Sequence, residues 1–540
     1  MVPRPVSPGL GTPQLPRFYA GRNVFITGAT GFMGKVLVER LLSTCPDIGK
    51  LYLLMRNKRG QSPQKRLTQL KQSQVFSDIQ ARNPGQLDKL MVISGDVTQP
   101  YIGLSTEDIT ALREVSIVFH SAATVKFDET LQLAIQQNVR SVEKMLDLCD
   151  KLPMMEVFIH VSTAYSNAEL TQVEERVYPP PKPLRDVYAL VDALPEELLT
   201  QITPQYISPK PNTYTFTKAL AETVVSEHRR SEYSVAIFRP TIVVSSLRHP
   251  FPGWIENLNG PSGIIVGAGK GLMRVVAAKK SARADLLPVD IAIDTLIAVA
   301  WETALDKPEH VRVYNCSTCE NPTTWREFKT SLEEYLCTYP LGYVFWYPMG
   351  ICTYENKTAL TLTNQFYSVH RHVQRFLETV LQTVPLHIAE YVTKILRIKK
   401  KLSLIKVNER LRAVNEVLRF FSVHEWYFQT DNVRQLEKRL STQDAAIYNL
   451  NPHTIVWKDH YADFVKGTRK YLLQEKDQDI DGAKKHMQKM LYLHYGVIVF
   501  TLLLLCRLVL RNEHLKNFVY RTFRLLLSLS YNFYTRRQTT

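Results

Sequence analysis

The chain contains 540 residues, of which 45% are hydrophobic, and it carries a formal net charge of +16. This length exceeds that of one compact domain, so we expect two or three modules. The charge suits nucleic acid, a membrane surface or a phosphate-rich substrate. Because no nucleic-acid-binding motif accompanies this charge, we do not expect nucleic acid as a partner. The sequence predicts no particular oligomeric state.

The cysteines argue against a disulfide framework and against a metal site. There are seven, and no secretory signal precedes them, which is typical of reduced thiols in a cytosolic protein. Cys316 and Cys319 form one CxxC pair, but the second pair or histidine cluster that zinc requires is missing from the sequence. We therefore expect ordinary packing at this pair and no metal.

The N-terminal residues 1–19 are rich in proline and glycine and have no apolar core. They resemble neither a signal peptide nor a membrane span. A flexible lead-in is expected here, followed by the first folded domain.

A glycine-rich loop follows the first apolar run, in the stretch NVFITGATGFMG from Asn23 to Gly34. An amphipathic run comes next, and a second strand, Leu51–Met55, lies at the distance expected of a βαβ unit. Glycines permit the tight turn and a close approach to a pyrophosphate, and a helix opening at about Gly31 directs its positive end at the phosphates. The loop predicts a dinucleotide site formed by Thr27, Gly28, Thr30, Gly31, Phe32, Met33 and Gly34.

A basic run, Arg56 to Arg59, follows the second strand, at the position that selects the cofactor. An acidic residue there would take the ribose 2′-hydroxyl of NAD, whereas Arg56 and Lys58 suit the 2′-phosphate of NADP. The alternative is a solvated basic turn. The pattern favours NADPH.

Further apolar runs alternate with helical segments, which predicts a doubly wound parallel sheet. The third strand ends near Asp96 and Val97, which we expect at the adenine edge of the cofactor. The fourth is followed by Ala122 and Ala123, a floor of small residues for the nicotinamide ribose. The predicted strands after the second are 91–97, 116–120, 157–161 and 235–238.

The fifth strand leads directly into Ser162 and Thr163, at the carboxyl edge where such sheets bind ligands. Tyr214 and Lys218 follow later at i and i+4, so they share one face of a helix. An ammonium beside a phenol favours its anion, and such a phenol can donate a proton to a carbonyl oxygen. Two adjacent hydroxyls at a strand end point to opposite sides, so the choice between Ser162 and Thr163 stays open, with Thr163 preferred.

These elements together resemble the extended short-chain dehydrogenase/reductases, and most closely the fatty acyl-CoA reductases, or male-sterility family. The resemblance rests on TGATGFMGK, GDV, HSAATVKF, VSTAY, YTFTKALAE and FRPTIV, and it resumes around Phe420–Phe421, Trp426–Phe428 and Gly467–Tyr471. It implies that Tyr214 is the proton donor and that Lys218 orients the nicotinamide ribose and lowers the tyrosine pKa. Thr163 or Ser162 would supply the second hydroxyl on the substrate oxygen.

The same resemblance implies an activity. It is the NADPH-dependent reduction of long-chain acyl-CoA to a primary alcohol through an aldehyde, with release of coenzyme A. One alternative is a membrane-bound extended reductase acting on a sterol or other lipid carbonyl. A second is a scaffold that binds NADPH without turnover, which the complete set of catalytic elements argues against.

The region 241–330 is expected to hold the substrate. Its basic residues Arg274, Lys279 and Lys280 suit the phosphates of coenzyme A, although a solvated charged face explains them equally well. The glycine-rich stretch 267–271 lacks the ending of a P-loop and is interpreted as a turn.

Three stretches near the C-terminus bear on lipid contact, the first of them only as one of two alternatives. Apolar residues at helical spacing between Phe376 and Leu396 lead into three lysines, 399–401, which indicates either a helix packed on the second domain or a membrane-facing surface. Leu491–Leu510 is long and apolar enough to span a bilayer. The stretch 515–534 predicts an interfacial helix or a second pass.

The predicted domain boundaries follow from these elements. A Rossmann-type domain with its substrate region occupies residues 20–340, a helical domain 341–475, and an anchor with its tail 476–540. We expect an endoplasmic reticulum membrane with the catalytic domain facing the cytosol, and the peroxisomal membrane is the alternative. Membrane lipid and long-chain acyl-CoA are the predicted partners.

Overall fold

The structure, a computed structural model, describes residues 13–228, 232–348, 352–353, 374–397, 403–513, 516–517 and 521. The basic run 399–401 and nearly all of the predicted interfacial stretch 515–534 lie outside these residues. So do residues 1–12 of the expected flexible lead-in.

A parallel sheet of seven strands forms the centre of the protein, in the order β3-β2-β1-β4-β5-β7-β11. Its strands are β1 Asn23–Thr27, β2 Leu51–Met55, β3 Leu90–Ser94, β4 Val115–His120, β5 Val157–Val161, β7 Ser234–Pro240 and β11 Arg312–Cys316. The doubly wound fold predicted from the sequence is confirmed. The seventh strand, β11, was not predicted, because Arg312 and Asn315 interrupt its apolar pattern.

Both faces of this sheet are buried, which explains why its strands are continuously apolar. In β1, Val24 and Ile26 join the core on one face, and Phe25 joins the core on the other. The helices that flank the sheet or follow it in the first part of the chain are α1 Gln14–Tyr19, α2 Phe32–Thr44, α3 Pro63–Lys71, α4 Ser77–Arg82, α5 Thr106–Ala111, α6 Leu131–Ile135, α7 Ser141–Cys149, α8 Leu184–Ala193, α9 Glu196–Tyr206, α10 Thr213–Glu227, α11 Pro261–Gly269, α12 Val289–Asp306 and α13 Trp325–Thr338.

The rest of the chain is mainly helical and packs back onto the sheet domain. Its helices are α14 Val384–Ile395, α15 Leu404–Val423, α16 Asp431–Arg439, α17 Thr442–Ile447, α18 Trp457–Gly467 and α19 Ile480–Arg511. Three short parallel pairs complete the strands: β6 Gln172–Val173 with β13 Tyr427–Phe428, β8 Ile242–Val244 with β10 Leu286–Pro288, and β9 Val275–Val276 with β12 Cys352–Thr353.

The lead-in expected to be flexible as far as residue 19 is ordered in its last part. Leu15 and Tyr19 of α1 are fully buried. The Asp444 carboxylate accepts hydrogen bonds from the backbone N–H groups of Gln14 and Leu15, at 2.9 and 3.1 Å. This correction arises because the partner that orders α1 comes from the far end of the chain, which local composition does not reveal.

A buried ion pair of the sheet domain also binds the C-terminal part. Arg40 of α2 contacts Asp294 of α12 at 2.8 Å. The same guanidinium donates to the carbonyl oxygen of Ile447 at 2.7 Å, and the backbone N–H of Asn449 donates to Asp294 at 2.9 Å. Because removing either charge would leave the other unpaired in the core, the pair and the hydrogen bonds that it makes with the C-terminal part are stabilised together.

Among the described residues, one helix is long and apolar enough to cross a membrane. It comprises α19 with the preceding turn, Asp477–Arg511, and its most apolar window has a mean hydropathy of 2.2 with no residue buried. This helix includes the predicted span Leu491–Leu510. Its exposed apolar surface suggests membrane association.

Candidate active site

The glycine loop between β1 and α2 is shaped for close approach by a ligand. Gly28 has a φ of +76°, and a Cβ there would lie 2.9 Å from the backbone of Ser121 and Ala122. A Cβ on Gly34 would collide with the carbonyl oxygen of Gly28. No side chain caps the start of α2, whose N-cap is Gly31. Its first N–H groups can therefore meet an anion.

A cavity of about 540 Å³ opens above this loop. All the predicted cofactor-binding residues except Thr27 line it: Gly28, Thr30, Gly31, Phe32, Met33, Gly34, Arg56, Lys58, Asp96, Val97, Ala122, Ala123 and Lys218. Thr27 is fully buried, and its hydroxyl accepts from the N–H groups of Ser121 and Ala122 at 3.1 Å. We infer that it joins the ends of β1 and β4 instead of touching a ligand.

A cluster of cations lies at one end of the cavity. The pKa of Lys58 is lowered, first by partial burial and then by the guanidinium groups of Arg66 and Arg56. Arg66 was not predicted from the sequence. It donates to the Thr30 hydroxyl at 2.9 Å and to the carbonyl oxygen of Arg56 at 2.7 Å, and Arg56 contacts the Asp96 carboxylate at 3.2 Å. Like charges held together in this way favour an anionic ligand.

Tyr214 and Lys218 lie on α10 and line the same cavity away from the cations. Both point into it, in line with the shared helix face that their i, i+4 spacing predicts. The side chain of Asn212 caps this helix by accepting from the N–H of Thr215 at 2.9 Å. Lys218 Nζ donates to the carbonyl oxygen of Val161 at 2.7 Å, so the ammonium is held at the end of β5.

The two hydroxyls after β5 have separate partners. Tyr214 and Thr163 both line the first cavity, and the Thr163 hydroxyl lowers the pKa of the Tyr214 phenol. The Ser162 hydroxyl donates instead to Glu222 Oε1, at 2.5 Å, in the interior. Ser162 and Thr163 both line the first cavity, but of the two only Thr163 also lines the second cavity described below, whereas the Ser162 hydroxyl is bonded in the interior, in line with alternation along an extended backbone.

Burial controls the titration of both helix residues. Burial raises the pKa of Tyr214 to about 12, and the hydrogen bond with Thr163 opposes this shift. Burial lowers the pKa of Lys218 to about 8, and the Glu222 carboxylate opposes that shift. The family resemblance implied a lowered tyrosine pKa, and the structure shows the opposite direction because desolvation dominates. A phenol of this kind is protonated at neutral pH and able to donate.

A second cavity, of about 470 Å³, meets the first at Tyr214 and Thr163. Its walls are mainly apolar and come mostly from residues 241–330 and from α15, with a further contribution from residues 125–128 after β4. They include Phe127, Ile242, Leu258, Pro261, Ile264, Val276, Trp325, Val414, Val417, Leu418 and Phe421. Tyr214 and Thr163 therefore lie between the cavity above the glycine loop and a second cavity whose apolar walls suit a hydrocarbon chain.

An aromatic cluster from the C-terminal part supports this wall. The ring of Tyr165 packs against Phe421, Trp426 and Phe428, with centroids 5.1 to 5.4 Å apart. Phe127 contacts both Phe421 and Tyr214, at 5.4 and 5.5 Å. In the sequence these residues stood out only through their resemblance to the family motifs. The structure shows that they pack together at the wall of the second cavity.

The proposed coenzyme A contacts are not brought together at either cavity. Arg274, Lys279 and Lys280 are absent from both linings, and Lys279 pairs with Glu425 at 3.3 Å. The CxxC pair is engaged in packing. The Cys316 thiol donates to the Thr295 hydroxyl, and the Cys319 thiol donates to the carbonyl oxygen of Phe428.

Comparison with known proteins extends these observations. Two family profiles, both described as male sterility protein, match residues 26–296 and 381–475. Fatty acyl-CoA reductase 1 of Xenopus laevis is 37% identical over 94% of this chain and 96% of its own length. The rat protein of the same name is 35% identical over 98% and 99%, respectively. Fatty acyl-CoA reductase 2 of mouse is 34% identical over 92% and 94%.

Solved structures agree on the fold. The terminal R domain of the myxalamid biosynthetic pathway has a TM-score of 0.52 at 16% identity, and covers 85% of this chain and 93% of that domain. A reductase domain of a Mycobacterium tuberculosis nonribosomal peptide synthetase has a TM-score of 0.51, also at 16% identity and with the same coverage. With identity to fatty acyl-CoA reductases sustained over almost the whole chain, and with both profiles matched, the protein belongs to the male-sterility family of fatty acyl-CoA reductases.

Proposed function

We propose that this protein reduces long-chain fatty acyl-CoA to a primary fatty alcohol, with NADPH as reductant and coenzyme A as leaving group. The observation that carries the proposal is the meeting of the two cavities at Tyr214 and Thr163. A thioester carbonyl held there would have its acyl chain among apolar side chains and its oxygen beside two hydroxyl donors.

The first cavity has the features that NADPH requires. Its glycine loop leaves no room for a Cβ at Gly28 or Gly34, and Arg56, Lys58 and Arg66 supply positive charge for the 2′-phosphate. NADPH bound there supplies hydride.

The residues then act on the substrate oxygen. Tyr214 and Thr163 donate hydrogen bonds to the oxyanion that develops as hydride reaches the thioester carbon. Collapse of this oxyanion would break the C–S bond, so that an aldehyde forms and coenzyme A leaves as its thiolate, which takes a proton from solvent. In the reduction of the aldehyde, with another NADPH as hydride source, Tyr214 would give its proton to the alkoxide, which yields the alcohol, and the phenol would regain a proton from solvent. Lys218 binds the nicotinamide ribose, and its positive charge stabilises the phenolate that Tyr214 becomes after giving up its proton.

The first prediction tests the chemistry. Tyr214→Phe should lower kcat for palmitoyl-CoA by roughly two orders of magnitude or more, because the proton donor is lost while the ring shape is kept. Thiol release, alcohol formation and NADPH binding are measured together, and binding should persist. Wild-type turnover of a sterol ketone with no thiol release from acyl-CoA would instead support the alternative lipid-carbonyl reductase. Binding of NADPH with no turnover of either substrate would support the scaffold.

The second prediction separates the two hydroxyls. Thr163→Val should lower kcat about 10²-fold or more, since it removes a donor to the developing oxyanion. Ser162→Ala is the matched control and should reduce kcat by less than about tenfold, because Glu222 keeps its ion pair with Arg239. The same assay with purified variants checks both, and the assignment is wrong if the two effects are reversed.

The third prediction concerns cofactor choice. Arg56→Ala should raise KM for NADPH roughly ten- to a hundred-fold and leave KM for NADH almost unchanged, since a charged hydrogen bond to phosphate contributes about 1.5–3 kcal/mol. Arg59→Ala is the control, because Arg59 belongs to the same basic run but does not line the cavity. Equal use of NADH and NADPH by the unmodified protein would contradict this prediction.

We also propose that α19 anchors the protein in a membrane with the catalytic part in the cytosol, where NADPH is available. The endoplasmic reticulum is our first choice and the peroxisomal membrane the alternative. The first turns of α19 pack on the body of the protein, where Ala483 and Met487 are buried. His486 Nε2 donates to the carbonyl oxygen of Val344 at 2.8 Å, and Trp346 Nε1 donates to His494 Nδ1 at 2.9 Å.

The fourth prediction tests this anchor. A chain truncated after Tyr495 keeps the packed turns and loses the apolar stretch Val497–Leu505. It should be released from membranes by carbonate and should retain thioester reduction, whereas the full chain stays in the pellet. The anchor hypothesis fails if carbonate or high salt releases the full-length protein, because screening charge does not extract an inserted helix.

A further inference from the structure

In the helical stretch 374–397, the buried side chains are mainly polar and the large apolar side chains are exposed. We call it the inverted helix. Its buried side chains are mainly polar, namely Gln374, Glu378, Gln382 and Glu390, with Leu386 the apolar member of the buried set. Large apolar side chains point outward with 45–67% of their surface exposed: Phe376, Val384, Ile388, Tyr391, Ile395 and Leu396. A helix on the surface of a water-soluble domain has the opposite arrangement.

The inward polar groups are satisfied by the facing helix α15. Gln382 Nε2 donates to Asn408 Oδ1 at 2.9 Å, and Asn415 Nδ2 donates to Glu378 Oε1. Glu390 Oε2 accepts from the backbone N–H of Leu404 at 2.9 Å. Amide-mediated contact between helices whose apolar sides face outward is typical of packing in lipid, where burying apolar surface between helices gains nothing.

The charges that the inverted helix presents to its surroundings are all positive. Arg375, Lys394 and Arg397 are exposed, whereas the two carboxylates of the stretch, Glu378 and Glu390, are buried. These exposed basic side chains are attracted to anionic lipid headgroups. They disfavour the binding of a second copy of the chain through the same face, since like charges would be brought together at the contact.

The inverted helix is also connected to the start of the candidate span. Trp346 donates through its ring to His494 of α19, and its backbone N–H donates to the carbonyl oxygen of Lys270. Four residues further on, the N–H of Arg274 donates to Gln382 Oε1 at 3.1 Å. A bilayer that holds α19 is therefore close to the apolar face.

We propose that the inverted helix lies in the surface of the bilayer that anchors α19, with its apolar side chains among the acyl chains and its basic side chains at anionic headgroups. Such a helix is an interfacial contact separate from the span. The opposite side of its partner α15 lines the apolar cavity through Val414 and Val417. The cavity wall is thus one helix away from lipid, the medium in which long-chain acyl-CoA accumulates.

The test uses the full-length protein in nanodiscs of phosphatidylcholine and phosphatidylserine with brominated acyl chains. Cys337 and Cys506, both exposed, are first replaced by serine. A nitrobenzoxadiazole label is then attached to Ile388→Cys, and, as a matched control, to Lys406→Cys on the outer charged face of α15. The label at 388 should lose roughly half its fluorescence relative to unbrominated lipid, since interfacial helices lie about 5–10 Å into the bilayer. The label at 406 should be unchanged.

Two results would overturn the proposal. In the first, the label at 388 is as accessible to iodide as the label at 406, and brominated lipid does not quench it. In the second, it is shielded from iodide but unquenched by lipid, and energy transfer between differently labelled copies shows that a second chain covers the face. A parallel label at Tyr391→Cys, with thioester reduction as a check on folding, guards against a local effect at one position. These readouts are independent of the reaction catalysed.

Discussion

The buried ion pair between Glu222 and Arg239 fixes the helix that carries Tyr214 and Lys218. The two side chains are 2% and 0% exposed, and two charges in such surroundings are tolerated only when hydrogen bonds replace water. Arg239 donates to both carboxylate oxygens, at 2.9 and 2.6 Å, and Glu222 also accepts from Ser162. Helix α10 is thereby joined to β7 and to the end of β5, which are the elements that border both cavities.

The same carboxylate influences the electrostatics of the site. It opposes the desolvation that lowers the pKa of Lys218 to about 8, so it favours the charged ammonium. His120 lies nearby under the sheet, and burial lowers its pKa to about 3, followed by a smaller effect of the Lys218 charge. A neutral histidine leaves Lys218 as the positive charge at the end of β5, where its ammonium donates to the carbonyl oxygen of Val161.

The C-terminal half contributes both to the wall of the apolar cavity and to the exposed apolar face of the inverted helix. Phe421 of α15 closes the apolar cavity near Tyr165, while Asn408 and Asn415, on the other side of the helix, bind the polar face of the inverted helix. One helix therefore separates the apolar cavity from the exposed apolar face of the inverted helix. The second family profile covers these residues of α15, at 381–475, and the first covers most of the sheet domain, at 26–296.

The sequence by itself determined the features that depend on local geometry. The glycine loop, the ends of β2 and β5, and the shared face of Tyr214 and Lys218 follow from backbone conformation and from helical and strand periodicity. The tertiary structure alone decided the partners that come from distant segments. The Ser162 hydroxyl donates to Glu222, and Arg66 joins Arg56 and Lys58 at the first cavity by donating to Thr30. Asp444 accepts hydrogen bonds from the backbone of α1. The apolar stripe between Phe376 and Leu396 was visible in the sequence, but which face points inward depends on the amides of α15, because periodicity defines a face without defining what covers it.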